Sequence, residues 1–193
     1  MLSGWVDWAA PTPAAVETLS DGGLFALRLD EIVPPDLRDN DMFTDTIQVT
    51  DAELLGTPDP VTVYRARKNG EPVAAILRVV APNGYSGPVR LLVGVRNNGE
   101  VAGVRVVSHR ETPGLGDAIE SDRSDWILGF TDRSLGDPPE AAWTVKRDGG
   151  AFDQFTGATI TPRAVTRAVR NALIYFQANQ EALFAGPGEE IQG

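Results

Sequence analysis

At 193 residues the chain is long enough for one domain with its own core, and 42% hydrophobic with 23% charged residues is a globular composition. A formal net charge of −10 argues against nucleic-acid backbones and anionic membrane surfaces as partners. With no cysteine and one histidine, His109, there are no ligands for iron–sulfur clusters, thiolate zinc or a bis-histidine haem, so any redox chemistry calls for an organic cofactor.

Residues 12–29 carry a loose amphipathic pattern (Val16, Leu19, Phe25, Leu29), which predicts a short helix with a break at Asp21-Gly22-Gly23. Residues 33–45 are rich in proline and aspartate and read as a surface loop. Asp36, Asp39, Asp41 and Asp45 lack the spacing and closing glutamate of an EF-hand, so a solvated acidic loop is expected there. Residues 1–59 are thus read as a helical and loop segment preceding the main domain at 60–185, with a polar tail at 186–193. No apolar run is long enough to span a bilayer, and no signal peptide is evident.

The middle of the chain is β-rich, and Val61–Arg67 alternates in the manner of a strand. Val61–Arg67 is followed by the Asn69-Gly70 turn and a return strand over 72–80. Val89–Val95 and Val101–Val107 flank a second turn at Asn97-Asn98-Gly99. Two successive Asn-Gly hairpins predict an antiparallel meander. A polar, turn-rich segment from Ser108 to Asp117 follows, then a short helical stretch around Trp126, Ile127 and Phe130, and an expected strand over Ala142–Lys146. From Pro162 to Phe184, Val165, Val169, Ala172, Phe176 and Leu183 form one stripe of a helix, with Arg163, Arg167 and Arg170 largely off it. The fold class is α+β: an antiparallel sheet packed with helices, ending in a long C-terminal helix.

Candidate chemistry gathers in two places. In Asp153-Gln154-Phe155-Thr156-Gly157-Ala158-Thr159-Ile160-Thr161-Pro162, Thr161 reads as the helix cap and Pro162 as the first helical residue. Thr159 then lies just before a helix N-terminus, where an anionic group is favoured, and Gly157 and Ala158 leave room for a close approach. A plain capped helix start accounts for this local pattern equally well. In Glu111-Thr112-Pro113-Gly114-Leu115-Gly116, two glycines and an apolar leucine suit the approach of a ring-shaped ligand, or an ordinary turn. His109 and Glu111 form a candidate acid–base pair, but no nucleophile accompanies them, and a histidine bonded to its own loop fits the composition better. Lys146 and Arg147 are candidate phosphate counter-charges, or simply solvated charges at a strand end. Trp126 and Trp143 can flank a cofactor or simply fill the core. No dinucleotide fingerprint or P-loop is present, and no metal site is expected.

Taken together these stretches resemble the covalent FMN-binding domain family. Asp153-x-x-Thr156-Gly157-Ala158-Thr159 is similar to its D-x-x-(S/T)-G-A-T signature, with threonine where serine is common, and His109-x-Glu111-Thr112-Pro113-Gly114-Leu115-Gly116 to a second signature segment. Gly84–Gly94 and Asp125–Phe130 resemble two further blocks, in the family's order. Among members, the G subunits of Rnf-type electron transport complexes resemble this chain more than the C subunits of the sodium-pumping NADH:quinone reductase. The resemblance implies FMN esterified through its phosphate to Thr159 by a separate flavin transferase. Thr156, Gly157, Ala158, Glu111, Thr112, Leu115, Gly116 and Lys146 are expected around it. It also implies an electron relay among the other subunits of a membrane complex that couples ferredoxin and nicotinamide chemistry to ion transport. The expected location is the periplasmic face of the inner membrane, held by an N-terminal helix outside this chain. A non-redox interaction module is the alternative.

Overall fold

The structure, a computed structural model, describes residues 21–186. A helix, α1 (Asp21–Ile32), leads to five strands: β1 (Thr46–Asp51), β2 (Thr57–Lys68), β3 (Glu71–Ala81), β4 (Val89–Arg96) and β5 (Val101–Ser108). They pair in the order β1-β2-β3-β4-β5, all antiparallel. After short 3-10 turns comes a long helix, α2 (Ile160–Phe184). No helix among the described residues is long and apolar enough to cross a membrane.

The meander follows from its turns and its period. Asn69 and Gly70 both take positive φ, 53° and 80°, the combination that a two-residue hairpin requires to match strand twist. Alternate strand residues point to opposite faces. Val61, Val63, Leu77, Val79, Leu91 and Val93 build one core with Val165, Val169, Ala172 and Phe176 of α2. Their neighbours Tyr64, Ala66, Ile76 and Leu92 build a second core with Phe25, Leu29 and Ile32 of α1. The sheet is therefore a middle layer between two helices, which is why its strands read as nearly continuous apolar runs.

Three expectations change. The Asp21-Gly22-Gly23 break lies within α1, whose buried face continues through Phe25, Leu29 and Ile32; the part of the predicted helix before residue 21 lies outside the described residues. β1 arises in the stretch expected to be helical and loop, because pairing with β2 buries Ile47 and Val49. The expected strand at Ala142–Lys146 is instead two 3-10 turns, Glu140–Ala142 and Lys146–Asp148, around a single bridge between Val145 and Phe152. The buried Trp143 organises that region: its indole N–H donates to the carbonyls of Ser134 at 2.9 Å and Pro138 at 3.1 Å, and its ring packs on Phe130 and Phe152.

The acidic loop is not merely solvated. Asp45 receives Arg65 Nε at 2.6 Å and Arg67 Nε at 2.9 Å, and Asp39 accepts the Asn69 N–H at 2.8 Å. The fully buried Arg65 extends onward to the C-terminal end of α2, donating to the carbonyl of Gly186 at 2.7 Å. Arg67 donates to the carbonyl of Phe184 at 3.1 Å. Two cations thus close the negative end of the helix dipole.

On the α1 side, the Arg78 guanidinium lies 4.6 Å from the Phe25 ring centroid and 5.4 Å from that of Tyr64. Burial pushes the Tyr64 phenol up to about 12, against a smaller opposing pull from Arg78. The unfolded chain releases this proton near its ordinary value of 10.0, earlier than the folded chain. The stabilising contribution is therefore complete below that pH and is lost as pH rises towards about 12. Chemical denaturation at stepped alkaline pH is expected to show this decline, and Tyr64→Phe is expected to flatten it.

Candidate functional site

Two turns face each other at one end of the molecule. In the first, the Leu115 N–H donates to the Thr112 carbonyl at 3.0 Å, and Gly114 takes φ 80°, the geometry of a type II turn. Asp117 fastens it by accepting the Gly114 N–H at 2.9 Å. In the second, the Ala158 N–H donates to the Phe155 carbonyl at 3.1 Å, and Gly157 takes φ 77°. A side chain has open space at Gly114, and at Gly157 it would meet only Leu115 Cδ2, at 3.8 Å. The turns therefore meet through Leu115 and Gly157 around an open surface. Leu115 and Ile160 are each 44% exposed there.

α2 begins against these turns. Its first helical residue is Ile160, and Thr159 occupies the capping position without a side-chain capping hydrogen bond. The expected cap, Thr161, is not one. Its hydroxyl is buried and donates to Glu111 Oε2 at 2.6 Å, which turns it inward and shifts the helix start two residues towards the N-terminus. Pro162 consequently stands at the third helical position, where it still takes no N–H from an intrahelical bond. The first-turn amides of Ile160 and Thr161 have no partner within the helix.

Glu111 joins three segments. Besides Thr161 it accepts the Ser86 N–H at Oε1, 3.2 Å away. Gly84 and Gly116 lie directly against it: a Cβ at Gly84 would come within 2.8 Å of Oε1, and one at Gly116 within 2.9 Å of Oε2 and of Thr161 Oγ1. Only glycine leaves room for the buried carboxylate. Glu111 and Gly116, expected beside the cofactor, thus lie beneath the surface that Thr112, Leu115, Thr156 and Gly157 present to solvent.

His109 does not pair with the Glu111 carboxylate. Its Nδ1 accepts the Glu111 backbone N–H at 2.9 Å, and its Nε2 lies 2.7 Å from Glu120 Oε1. A backbone N–H can only donate, so Nδ1 bears no hydrogen and the proton on Nε2 points to Glu120. The histidine is bonded to its own loop, as its composition suggested. Lys146 is exposed and pairs with Asp153 at 2.7 Å. Trp126 donates its indole N–H to the Asp153 carbonyl at 2.8 Å and packs on Phe155, supporting the Thr156–Gly157 turn from behind. At its far side Arg163 grips Asp148 with two nitrogens, which holds that carboxyl below its usual range. Reasoning from sequence assigned no role to Ser86 or Ile160. Ser86 lies in the Gly84–Gly94 block, whose resemblance to the family was the available signal.

These features suit FMN. Two open glycine turns offer a surface to a flat ring, an unengaged hydroxyl stands at a helix N-terminus, and free amides beside it suit a phosphate. Residues 84–174 match the FMN-binding domain family, a span that contains both turns and the start of α2. The chain thus contains an FMN-binding domain. Three similar proteins carry one description, the G subunit of an ion-translocating oxidoreductase complex. The protein from Pseudoalteromonas atlantica is 53% identical over 161 residues, 83% of this chain and 75% of the relative. That from Pseudomonas aeruginosa is 54% identical over 155 residues, 80% and 72% of the two chains. That from Shewanella loihica is 47% identical over 165 residues, 85% and 78%. The chain belongs to this family of G subunits.

Proposed function

We propose that this chain is the FMN-carrying electron-transfer subunit of a membrane-associated, ion-translocating oxidoreductase complex, with FMN esterified through its phosphate to Thr159. The observation that carries the attachment site is the Thr159 hydroxyl. It stands at the N-terminal end of a 25-residue helix, makes no capping bond, and adjoins the open Leu115–Gly157 surface. Thr161, the nearest alternative, is buried and committed to Glu111.

When bound, FMN supplies reversible one- and two-electron transfer that no side chain of this protein provides. The residues around it hold and orient. The amide of Ile160, at the exposed start of the helix, and the helix dipole would stabilise the negative charge that a phosphodiester retains. Lys146 is available as a counter-charge, because an exposed pair such as Lys146–Asp153 is weak enough to exchange partners. Thr112, Leu115, Thr156, Gly157 and Ala158 form the contact surface, and Glu111 and Gly116 fix its two halves to each other. The surface is open, which suits a carrier that must come close to its donor and acceptor among the other subunits. A flavin transferase as modifying enzyme, and a periplasmic position, complete this reading and rest on the family resemblance.

The test is loading. Protein produced with a flavin transferase and its flavin donor is expected to gain one FMN by intact mass and a flavin absorption band that survives denaturation. A wild-type protein of unchanged mass under those conditions would refute the covalent assignment and favour an interaction module.

A further inference from the structure

We propose that His109 is the positioning residue of the cofactor loop, acting through its Nδ1 acceptor. The inference rests on the FMN reading above and assigns how that site keeps its shape. Its imidazole spans the loop it belongs to. One nitrogen takes the Glu111 N–H at one end and the other reaches Glu120 at the far end, 11 residues along. Between these anchors lie Thr112, Leu115 and Gly116, three of the expected cofactor contacts. His109 follows directly after β5, so the sheet provides the rigid base.

The Glu111 bond matters most because of what Glu111 does next. Its carboxylate takes the Thr161 hydroxyl at 2.6 Å and the Ser86 amide at 3.2 Å, inside space that Gly84 and Gly116 leave for it. A shift in the Glu111 backbone would move that carboxylate, and with it the alignment of the first turn of α2 against the Thr112–Leu115 turn. His109 touches neither turn's exposed face, so its influence on the cofactor is indirect. A cofactor held by one ester bond at Thr159 would still swing about that bond; a fixed facing turn restricts it.

The two nitrogens can be separated by substitution. His109→Asn places an amide oxygen close to the Nδ1 position and keeps an acceptor for the Glu111 N–H, while giving up the reach to Glu120. His109→Gln extends towards Glu120 and gives up the acceptor beside Glu111, and His109→Leu removes both. In the full chain before loading, exchange of the Glu111 amide, followed by NMR, is expected to accelerate about tenfold in His109→Leu and His109→Gln, the effect of losing one hydrogen bond. It is expected to stay near wild type in His109→Asn, which keeps that bond. After co-production with the transferase, the flavin of the Leu and Gln variants is expected to show a shifted midpoint potential and altered fluorescence, and that of the Asn variant to match wild type. Equal behaviour of Asn and Gln in exchange, or a wild-type flavin signature in Leu and Gln, overturns the proposal. If His109→Leu does not fold, the Asn and Gln variants decide the matter alone. A wild type that takes up no FMN would sink the flavin reading instead, while the exchange comparison still judges the role of His109 in the loop.

Discussion

Thr159→Ala is expected to yield protein of unmodified mass under conditions that load the wild type completely. The loss should be total because no neighbouring hydroxyl can take over. Thr161 is buried and donates to Glu111, so its oxygen cannot be approached. Thr156 is exposed in the turn, but it stands three residues before the capping position and away from the Ile160 amide at the start of the helix. Thr159→Ser keeps the hydroxyl and is expected to load; Thr156→Ala is expected to load as well. The same geometry predicts that Thr159→Ala leaves the fold intact. A threonine cap usually contributes about 1 kcal/mol through its side-chain bond, but Thr159 makes none. A thermal midpoint close to wild type, together with absent flavin, separates loss of attachment from loss of structure. Flavin mass retained on Thr159→Ala would reassign the attachment residue.

The second large effect lies at the opposite end of α2. Asp45→Ala is expected to destabilise the protein by about 3–5 kcal/mol, the cost of leaving a buried cation without its carboxylate. Asp45 is the shared counter-ion of Arg65 and Arg67, and Asn40 Nδ2 also donates to it, at 3.1 Å. Arg65 is fully buried, and its remaining bonds go to carbonyls at the end of α2, which orient the guanidinium but do not neutralise it. For a domain of this size the thermal midpoint should fall by roughly 6–20 °C. Asp59→Ala, at an exposed aspartate, is the control and should stay within about 0.5 kcal/mol. Equal midpoints for the two variants would mean that the Arg65–Asp45 pair contributes nothing. The clasp also bears on function, since it fixes the C-terminal end of the helix whose N-terminal end presents Thr159.

Much of this architecture is written in local pattern. Short apolar runs rich in β-branched residues and the two Asn-Gly turns specify a meander, because strand propensity and turn φ depend on neighbouring residues alone. The stripe from Val165 to Leu183 specifies the face that α2 buries, and every residue named in it is buried. The clustering of Thr156, Gly157, Ala158 and Thr159 marks the turn proposed for attachment for the same reason, and it lies within the span that matches the FMN-binding domain family.

What local pattern left open was settled by contacts between residues far apart in the chain. Thr161 carries every local mark of a cap, yet Glu111, 50 positions earlier, takes its hydroxyl and passes the capping position to Thr159. Arg65 reads as one more polar residue in an alternating strand until Gly186, 121 positions away, is seen to accept from it. β1 exists because β2 offers it an edge and a core to cover. Sequence alone thus determined the four strands of the central meander, the long helix and the face that it buries. Tertiary structure decided that Thr161 is bound inward and that Thr159 takes the capping position, because a polar group's partner is chosen by the packed core and not by its neighbours in sequence.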